Sequence, residues 1–143
     1  MPAGAIYFMM DEDDVQRILA FPPTMIGSDG MPHDEHPHPR LWSTFPRVLG
    51  HYSRELGLFP LHTAVNKMSG LPAAELGITQ RGRIAAGYYA DLVLFNPQTV
   101  RDSATFAQPR TRAEGIEKVW INGHLAWDDG EIRHQTAGRV IHR

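Results

Sequence analysis

Residues 24–34 read TMIGSDGMPHD, and this stretch decides the fold. A short apolar run leads to Asp29, and glycine, proline and histidine follow within a few residues. This arrangement is typical of a barrel strand that delivers one carboxylate to the rim of an active site. The chain carries almost nothing else with this signature, which predicts that only part of an enzyme is present.

The composition excludes several classes of protein. The 143 residues are 42% hydrophobic and 21% charged, as in a globular domain with a core. A net charge of -2 without a basic cluster argues against nucleic acid and membranes as partners. The chain has no cysteine, which excludes disulfides and thiolate metal sites within it. Neither a signal-peptide pattern nor an apolar run of about 20 residues is present, so we expect a cytoplasmic protein.

The first part of the sequence alternates strand and helix patterns. Residues 5–10 form a continuous apolar run, which predicts a buried parallel strand. Asp11 predicts the N-cap of a helix, and Pro22 and Pro23 predict its end. Residues 24–28 predict the next strand. Together these elements indicate one βα step of a parallel sheet.

Prolines and glycines mark the elements that follow. Residues 30–41 are predicted to be a loop, and a helix is predicted to begin near Pro46, a favourable first-turn residue. Pro60 predicts the start of another helix. A short helical turn over residues 72–76 is predicted to end at Gly77.

The last part of the sequence has an antiparallel β pattern. Residues 90–95 predict a strand, and residues 118–121 and 124–127 predict a hairpin. Asn122 and Gly123 join the two hairpin strands, and they suit the positive φ angles that a type I′ turn requires.

Four motifs of this region resemble the C-terminal signature of the amidohydrolase superfamily. They are LPAAELG (71–77), RGRI (81–84), GYYADLVLF (87–95) and VWING (119–123). In that superfamily the region leads from a metal-bearing TIM barrel into a small β-sandwich domain. The resemblance implies that residues 1–76 are the last βα units of a TIM barrel. It also implies that residues 77–143 are part of a small antiparallel β-sandwich domain.

Three further motifs are similar to the N-acyl-D-amino-acid deacylases of this superfamily, namely GSDG (27–30), HPRL (38–41) and TFPRVL (44–49). Such enzymes are much longer, and two strands cannot close a barrel. The resemblance implies a zinc cofactor whose other ligands lie upstream of this chain. We therefore expect the chain to need the missing N-terminal part of the barrel and to be inactive alone. Its unpaired strand edges would allow oligomers to form.

The resemblance implies roles for Asp29 and Arg40, and the end of the first predicted strand suggests a role for Tyr7 and Met10. Asp29 corresponds to a catalytic carboxylate beside the metal, which takes a proton from metal-bound water and passes it to the leaving amine. Arg40 corresponds to the arginine that binds the α-carboxylate of a small N-acyl amino acid substrate. Tyr7 and Met10 are expected to line the substrate pocket, with ordinary strand packing as the alternative.

Other functions stay open at this point. Asp29 would serve equally in a cyclic-amide hydrolase such as a hydantoinase or dihydroorotase. A turn-forming Asp-Gly pair would also fit a non-catalytic β module that acts as an interaction partner. His33, His36 and His38 match no ligand spacing, so they are expected at a loop tip or beside the site and not as metal ligands.

Overall fold

The computed structural model describes residues 6–32 and 35–141, with helices first and a sheet second. The helical elements are α1 (Glu12–Ala20), α2 (Arg40–Arg47), its π-helical continuation π1 (Val48–Glu55), α3 (Leu61–Met68) and α4 (Gly70–Glu75). One antiparallel sheet has the strand order β1 (Leu92–Phe95), β2 (Ile116–Ile121), β3 (His124–Asp128) and β4 (Glu131–Ile132). None of the helices in these ranges is long and apolar enough to cross a membrane.

The helix α1 forms as the sequence predicts. Asp11 has an extended backbone, and its carboxylate accepts a hydrogen bond from the amide of Asp13 at 2.9 Å. The acidic first turn stabilises the helix because negative charge suits the positive end of the helix dipole. The helix ends at Ala20, shortly before Pro22 and Pro23, which cannot continue it.

Two predicted strands are absent from this structure: residues 6–10, the described part of the first, and residues 24–28 form no strand. Residues 7–10 are between 68% and 83% exposed. The amide of Ile26 donates to the carbonyl oxygen of Lys67 at 3.0 Å, which ties this segment to α3 and not to a strand. Parallel strands are stable only between hydrogen-bonded neighbours, and neither segment has such a neighbour among the described residues.

The helix α2 begins earlier than the sequence predicts. It starts at Arg40, inside the predicted loop, because His38 accepts the amide of Arg40 on its Nδ1 atom at 3.0 Å. Pro46 lies inside the helix and not at its start. A proline removes one helical hydrogen bond and crowds the preceding turn, and the wider π winding begins at Val48, directly after this defect.

The hairpin of β2 and β3 is confirmed, as is the strand β1. Asn122 and Gly123 have φ angles of 51° and 83°, as a type I′ turn requires. The amide of Asn122 donates to Oδ1 of Asp91 at 2.7 Å, and the Arg81 guanidinium donates to the side chains of both residues. The motifs around Arg81 and Asp91 therefore hold the hairpin turn against the start of β1.

A buried cluster joins the helices to the sheet. Its buried residues are Val48, Leu49, Tyr52, Phe59, Ala64 and Val100. Phe95 of β1 and Ile116 of β2 pack against this cluster from the sheet side. The proposed division between residues 76 and 77 falls between the last helix and the first strand, and it stays a prediction.

Gly50 is expected to tolerate no side chain. A Cβ atom there would lie 2.5 Å from the Val100 carbonyl oxygen and 3.2 Å from the Arg101 Cα atom. Alanine normally stabilises a helix by about 1 kcal/mol over glycine, but separating two packed backbones costs about 1–3 kcal/mol. We therefore expect Gly50→Ala to lower the free energy of unfolding in urea by up to about 2 kcal/mol.

The control for this variant is Gly138→Ala, because no atom lies within 4 Å of a Cβ built at Gly138. Its free energy of unfolding should stay within about 0.5 kcal/mol of the parent chain. A Gly50→Ala protein at least as stable as the parent would contradict the close approach.

Candidate active site

Asp29 and Arg40 form the centre of the candidate site. The Nε atom of Arg40 donates to the main-chain oxygen of Asp29 at 2.9 Å, and its Nη2 atom lies 2.9 Å from Oδ2 of the Asp29 carboxylate. The Asp29 side chain is 77% exposed and the Arg40 side chain 36% exposed. The structure thus brings together the two residues to which the sequence analysis assigned proton transfer and carboxylate binding, at a surface that a ligand can reach.

The backbone at Asp29 has a conformation that few residues adopt. Its φ angle is 47°, in the left-handed region, which aspartate and asparagine tolerate better than most residues. The next residue, Gly30, lies so close to α2 that an added Cβ atom would be 3.1 Å from the Cα atom of Leu41. The turn at Asp29 is therefore packed against the start of α2, which carries Arg40.

His38 fixes the main chain of Arg40. The amide of Arg40 can only donate, so the Nδ1 atom of His38 is the acceptor and carries no proton. Burial lowers the pKa of His38, the positive charge of Arg40 lowers it further, and the negative charge of Asp29 opposes the shift. The structure therefore favours the neutral imidazole, whose Nδ1 atom accepts the first amide of α2.

We expect the stability of the chain to depend on this histidine at mildly acidic pH. The stabilisation from neutral His38 should be complete above about pH 6.5, the pKa of histidine in the unfolded chain. It should be lost as the pH falls through the lower pKa of His38 in the folded chain, because between these two pKa values the unfolded chain binds more protons. Urea unfolding between pH 7.5 and 5 measures it. In His38→Asn the amide oxygen accepts at any pH, so this part of the pH dependence should vanish; an unchanged dependence would contradict the assignment.

Phe106 and Lys67 belong to the surroundings of the site, and the sequence analysis missed both. The carbonyl oxygen of Phe106 accepts a hydrogen bond from Nε2 of His36 at 2.9 Å. The Phe106 ring packs edge-on against His38, with ring centroids 5.1 Å apart. No periodic pattern marks Phe106, and its partners lie about 70 residues away in sequence.

Lys67 holds the segment that leads to Asp29. It is only 2% exposed, and its Nζ atom donates to the carbonyl oxygens of Phe21, Pro22 and Thr24 at 2.6, 3.2 and 3.2 Å. Burial lowers the pKa of Lys67. Lys67 lies on the same helix face as the buried Ala64, and this spacing could have predicted its burial. A lysine is, however, expected in solvent unless it is paired.

Tyr7 and Met10 stay predictions as pocket residues. They are 76% and 68% exposed. Phe8, which lies between them in sequence, packs against Phe106 with ring centroids 4.9 Å apart. Through Phe106, this segment contacts the loop that carries His38.

The residues present do not by themselves make a zinc site. Structural and catalytic zinc ions take three or four protein ligands in fixed positions. Within residues 6–32 and 35–141, no group of three or more histidine, aspartate or glutamate side chains could hold a metal. His36 and Nδ1 of His38 already have hydrogen-bond partners. Among the predicted site residues, Asp29 carries the carboxylate that could serve as one ligand of a larger metal centre.

Comparison with known proteins defines the class. The sequence profile of the amidohydrolase family matches residues 8–126. The chain therefore belongs to the amidohydrolase family, as its motifs predict.

Its relatives are deacylases of N-acylated D-amino acids. The chain is 67% identical to D-aminoacylase from Alcaligenes xylosoxydans xylosoxydans over 142 residues, which are 99% of this chain and 29% of that protein. A crystal structure of D-aminoacylase matches with a TM-score of 0.94 and 68% identity, covering 96% of this chain and 29% of that one.

A second solved relative contains a metal. N-acyl-D-glutamate deacylase from Bordetella bronchiseptica, in complex with zinc and a phosphonate mimic of the tetrahedral intermediate, matches with a TM-score of 0.84 and 46% identity. The match covers 87% of this chain and 27% of that one. The chain thus spans less than a third of the length of these relatives.

Proposed function

We propose that this chain forms the part of a hydrolase that carries Asp29 and Arg40, and that the enzyme cleaves N-acyl-D-amino acids to a carboxylate and a free D-amino acid. The observation that carries the proposal is the pair itself. Arg40 holds both the main chain and the carboxylate of Asp29. The identity to D-aminoacylase supports the same assignment.

The proposed architecture is the end of a TIM barrel followed by part of a small β-sandwich domain. Residues 5–10 and 24–28 become the last two barrel strands when further strands pair with them. Their exposed apolar side chains, such as Met9 at 83%, support this arrangement, because a barrel would bury one face of each strand. Asp29 then follows a strand at the end of the barrel where catalytic residues lie.

The proposed chemistry of Asp29 is proton transfer. Its carboxylate accepts a proton from the attacking water while the water oxygen bonds to the amide carbon. It then gives this proton to the nitrogen as the carbon–nitrogen bond breaks, which yields the amine and a carboxylic acid that ionises to the carboxylate. The exposure of the carboxylate supports this role, because water and a substrate amide can both reach it.

The proposed cofactor is zinc, which when bound polarises the amide carbonyl and acidifies water. This chain would contribute Asp29 to the metal centre, and the other ligands would lie in the upstream part of the enzyme. The zinc complex of the Bordetella relative supports the choice of metal.

Arg40 has donors left for a substrate. Its contacts with Asp29 use two of the five guanidinium N–H groups. The edge that carries Nη1 can therefore bind the free α-carboxylate of an N-acyl amino acid while Asp29 stays in place. Tyr7 and Met10 would contact the side chain of the substrate.

A hybrid enzyme tests the proposal. In this hybrid, the chain replaces the matching 142-residue stretch of the Alcaligenes D-aminoacylase. With zinc, the hybrid should hydrolyse N-acetyl-D-methionine, whereas the 143-residue chain alone should not. Hydrolysis by the chain alone would contradict the need for upstream ligands. A folded, zinc-loaded hybrid that cleaves hydantoin or dihydroorotate but no acylated amino acid would contradict the proposed substrate.

A further inference from the structure

The segment 101–108 lies against the helix that carries Arg40. Asp102 pairs with Arg47 at 3.0 Å, and the amide of Ala104 donates to the buried Ser43 at 3.3 Å. The carbonyl oxygen of Phe106 accepts from His36 at 2.9 Å. Every second residue from 102 to 106 thus contacts α2 or the loop before it.

The ring of Phe106 extends these contacts towards Arg40. It packs edge-on against His38, with an angle of 77° between the ring planes, and this is a favourable arrangement for aromatic rings. His38 in turn accepts the amide of Arg40, whose guanidinium holds Asp29. An unbroken series of contacts therefore runs from Phe106 to the candidate site.

We propose that Phe106 is a positioning residue for the Arg40 guanidinium. Its ring restricts rotation of the His38 imidazole, so that Nδ1 stays directed at the amide of Arg40. This contact fixes the first turn of α2, and the direction of that turn sets where the guanidinium lies. The link to substrate binding rests on the proposed function, whereas the effect on Arg40 itself does not.

Core packing alone does not account for this residue. Phe106 is 45% exposed and lies outside the buried cluster that joins helices and sheet. An exposed aromatic side chain contributes little to a core. Its ring nevertheless contacts Phe8 and His38, and its main-chain oxygen accepts from His36. Both histidines lie in the loop before Arg40.

The first test measures the Arg40 Nε proton by NMR in the 143-residue chain. This proton is protected by its hydrogen bond to Asp29. In Phe106→Ala it should exchange with water about tenfold faster, since losing a ring contact promotes local opening. Phe106→Tyr keeps the ring edge and should restore the parent rate. Ile84→Ala, which removes another exposed apolar side chain, should change nothing.

The amide signal of Asn122 in the distant hairpin reports whether each variant is folded. If Phe106→Ala does not fold, Phe106→Leu decides, because leucine keeps apolar volume but has no ring. An Arg40 exchange rate unchanged in the folded variants overturns the proposal.

The second test uses the hybrid enzyme and separates KM from kcat. Phe106→Ala should raise KM for N-acetyl-D-methionine about tenfold and lower kcat by less than that, because it displaces Arg40, which binds the substrate and also holds Asp29. If Phe106→Ala and the unmodified hybrid have the same KM, the link between Phe106 and substrate binding is overturned. If the unmodified hybrid is inactive, the proposed function fails, while the exchange measurement still decides the role of Phe106.

Discussion

Asp29→Asn is expected to lower kcat of the hybrid enzyme for N-acetyl-D-methionine by about 1,000-fold, the usual size of a general acid–base contribution. Asparagine has the same shape and tolerates the left-handed backbone found at this residue. It cannot accept the proton of the attacking water. The loss should therefore be chemical, with the fold and the affinity for substrate largely retained.

Asp14→Asn provides the matched control, because Asp14 is an exposed carboxylate on α1 that pairs with Arg17 at 2.8 Å. Removing one charge there should leave kcat within about twofold, since exposed ion pairs contribute little. Steady-state kinetics with both variants, together with a bound-zinc measurement, separates proton transfer from loss of metal. An Asp29→Asn enzyme that keeps its zinc and more than a tenth of its kcat would contradict the role of Asp29.

Arg40→Lys should raise KM for the same substrate by about 30- to 100-fold, which corresponds to the loss of one strong charge-assisted hydrogen bond. Lysine keeps the positive charge but has no planar edge with parallel donors. It also cannot hold the main chain and the carboxylate of Asp29 together, as Arg40 does. A smaller fall in kcat is therefore expected alongside the rise in KM.

Arg17→Lys tests whether any arginine-to-lysine change has this effect. Arg17 lies on the exposed face of α1, and its replacement should change KM by less than about twofold. A substrate analogue with an α-carboxamide tests the same contact from the other side. If Arg40→Lys affects the carboxylate and the carboxamide substrates equally, Arg40 does not bind the α-carboxylate.

The sequence predicted those elements whose stability is local. Asp11 caps α1 through a hydrogen bond to a residue two positions away, and Asn122 with Gly123 forms a turn that closes on itself. The strands over 5–10 and 24–28 were predicted from apolar runs, but a strand needs a neighbour that no local pattern supplies. The start of α2 was missed because its N-cap is Pro39, which offers no side-chain acceptor. The preceding residue, His38, accepts the Arg40 amide instead, and neither residue is a usual capping residue.

The site was predictable where a family motif covers it. Asp29 and Arg40 were identified by resemblance, and the structure places them in contact. Their roles remain proposals. Phe106 and Lys67 were not identified, because their contacts join residues more than 40 positions apart. Long-range contacts of single side chains leave no periodic pattern in a sequence.

The shared core has a consequence for how such genes can recombine. Val100, from the segment between β1 and β2, is fully buried among residues of π1 and α3. A crossover between two homologous genes near residue 77 would combine the helices of one parent with a sheet that evolved to pack on the helices of the other parent. In recombinant genes that still encode a stable protein, the crossover should therefore lie outside this region, so that the helical part and the sheet part are inherited as one block.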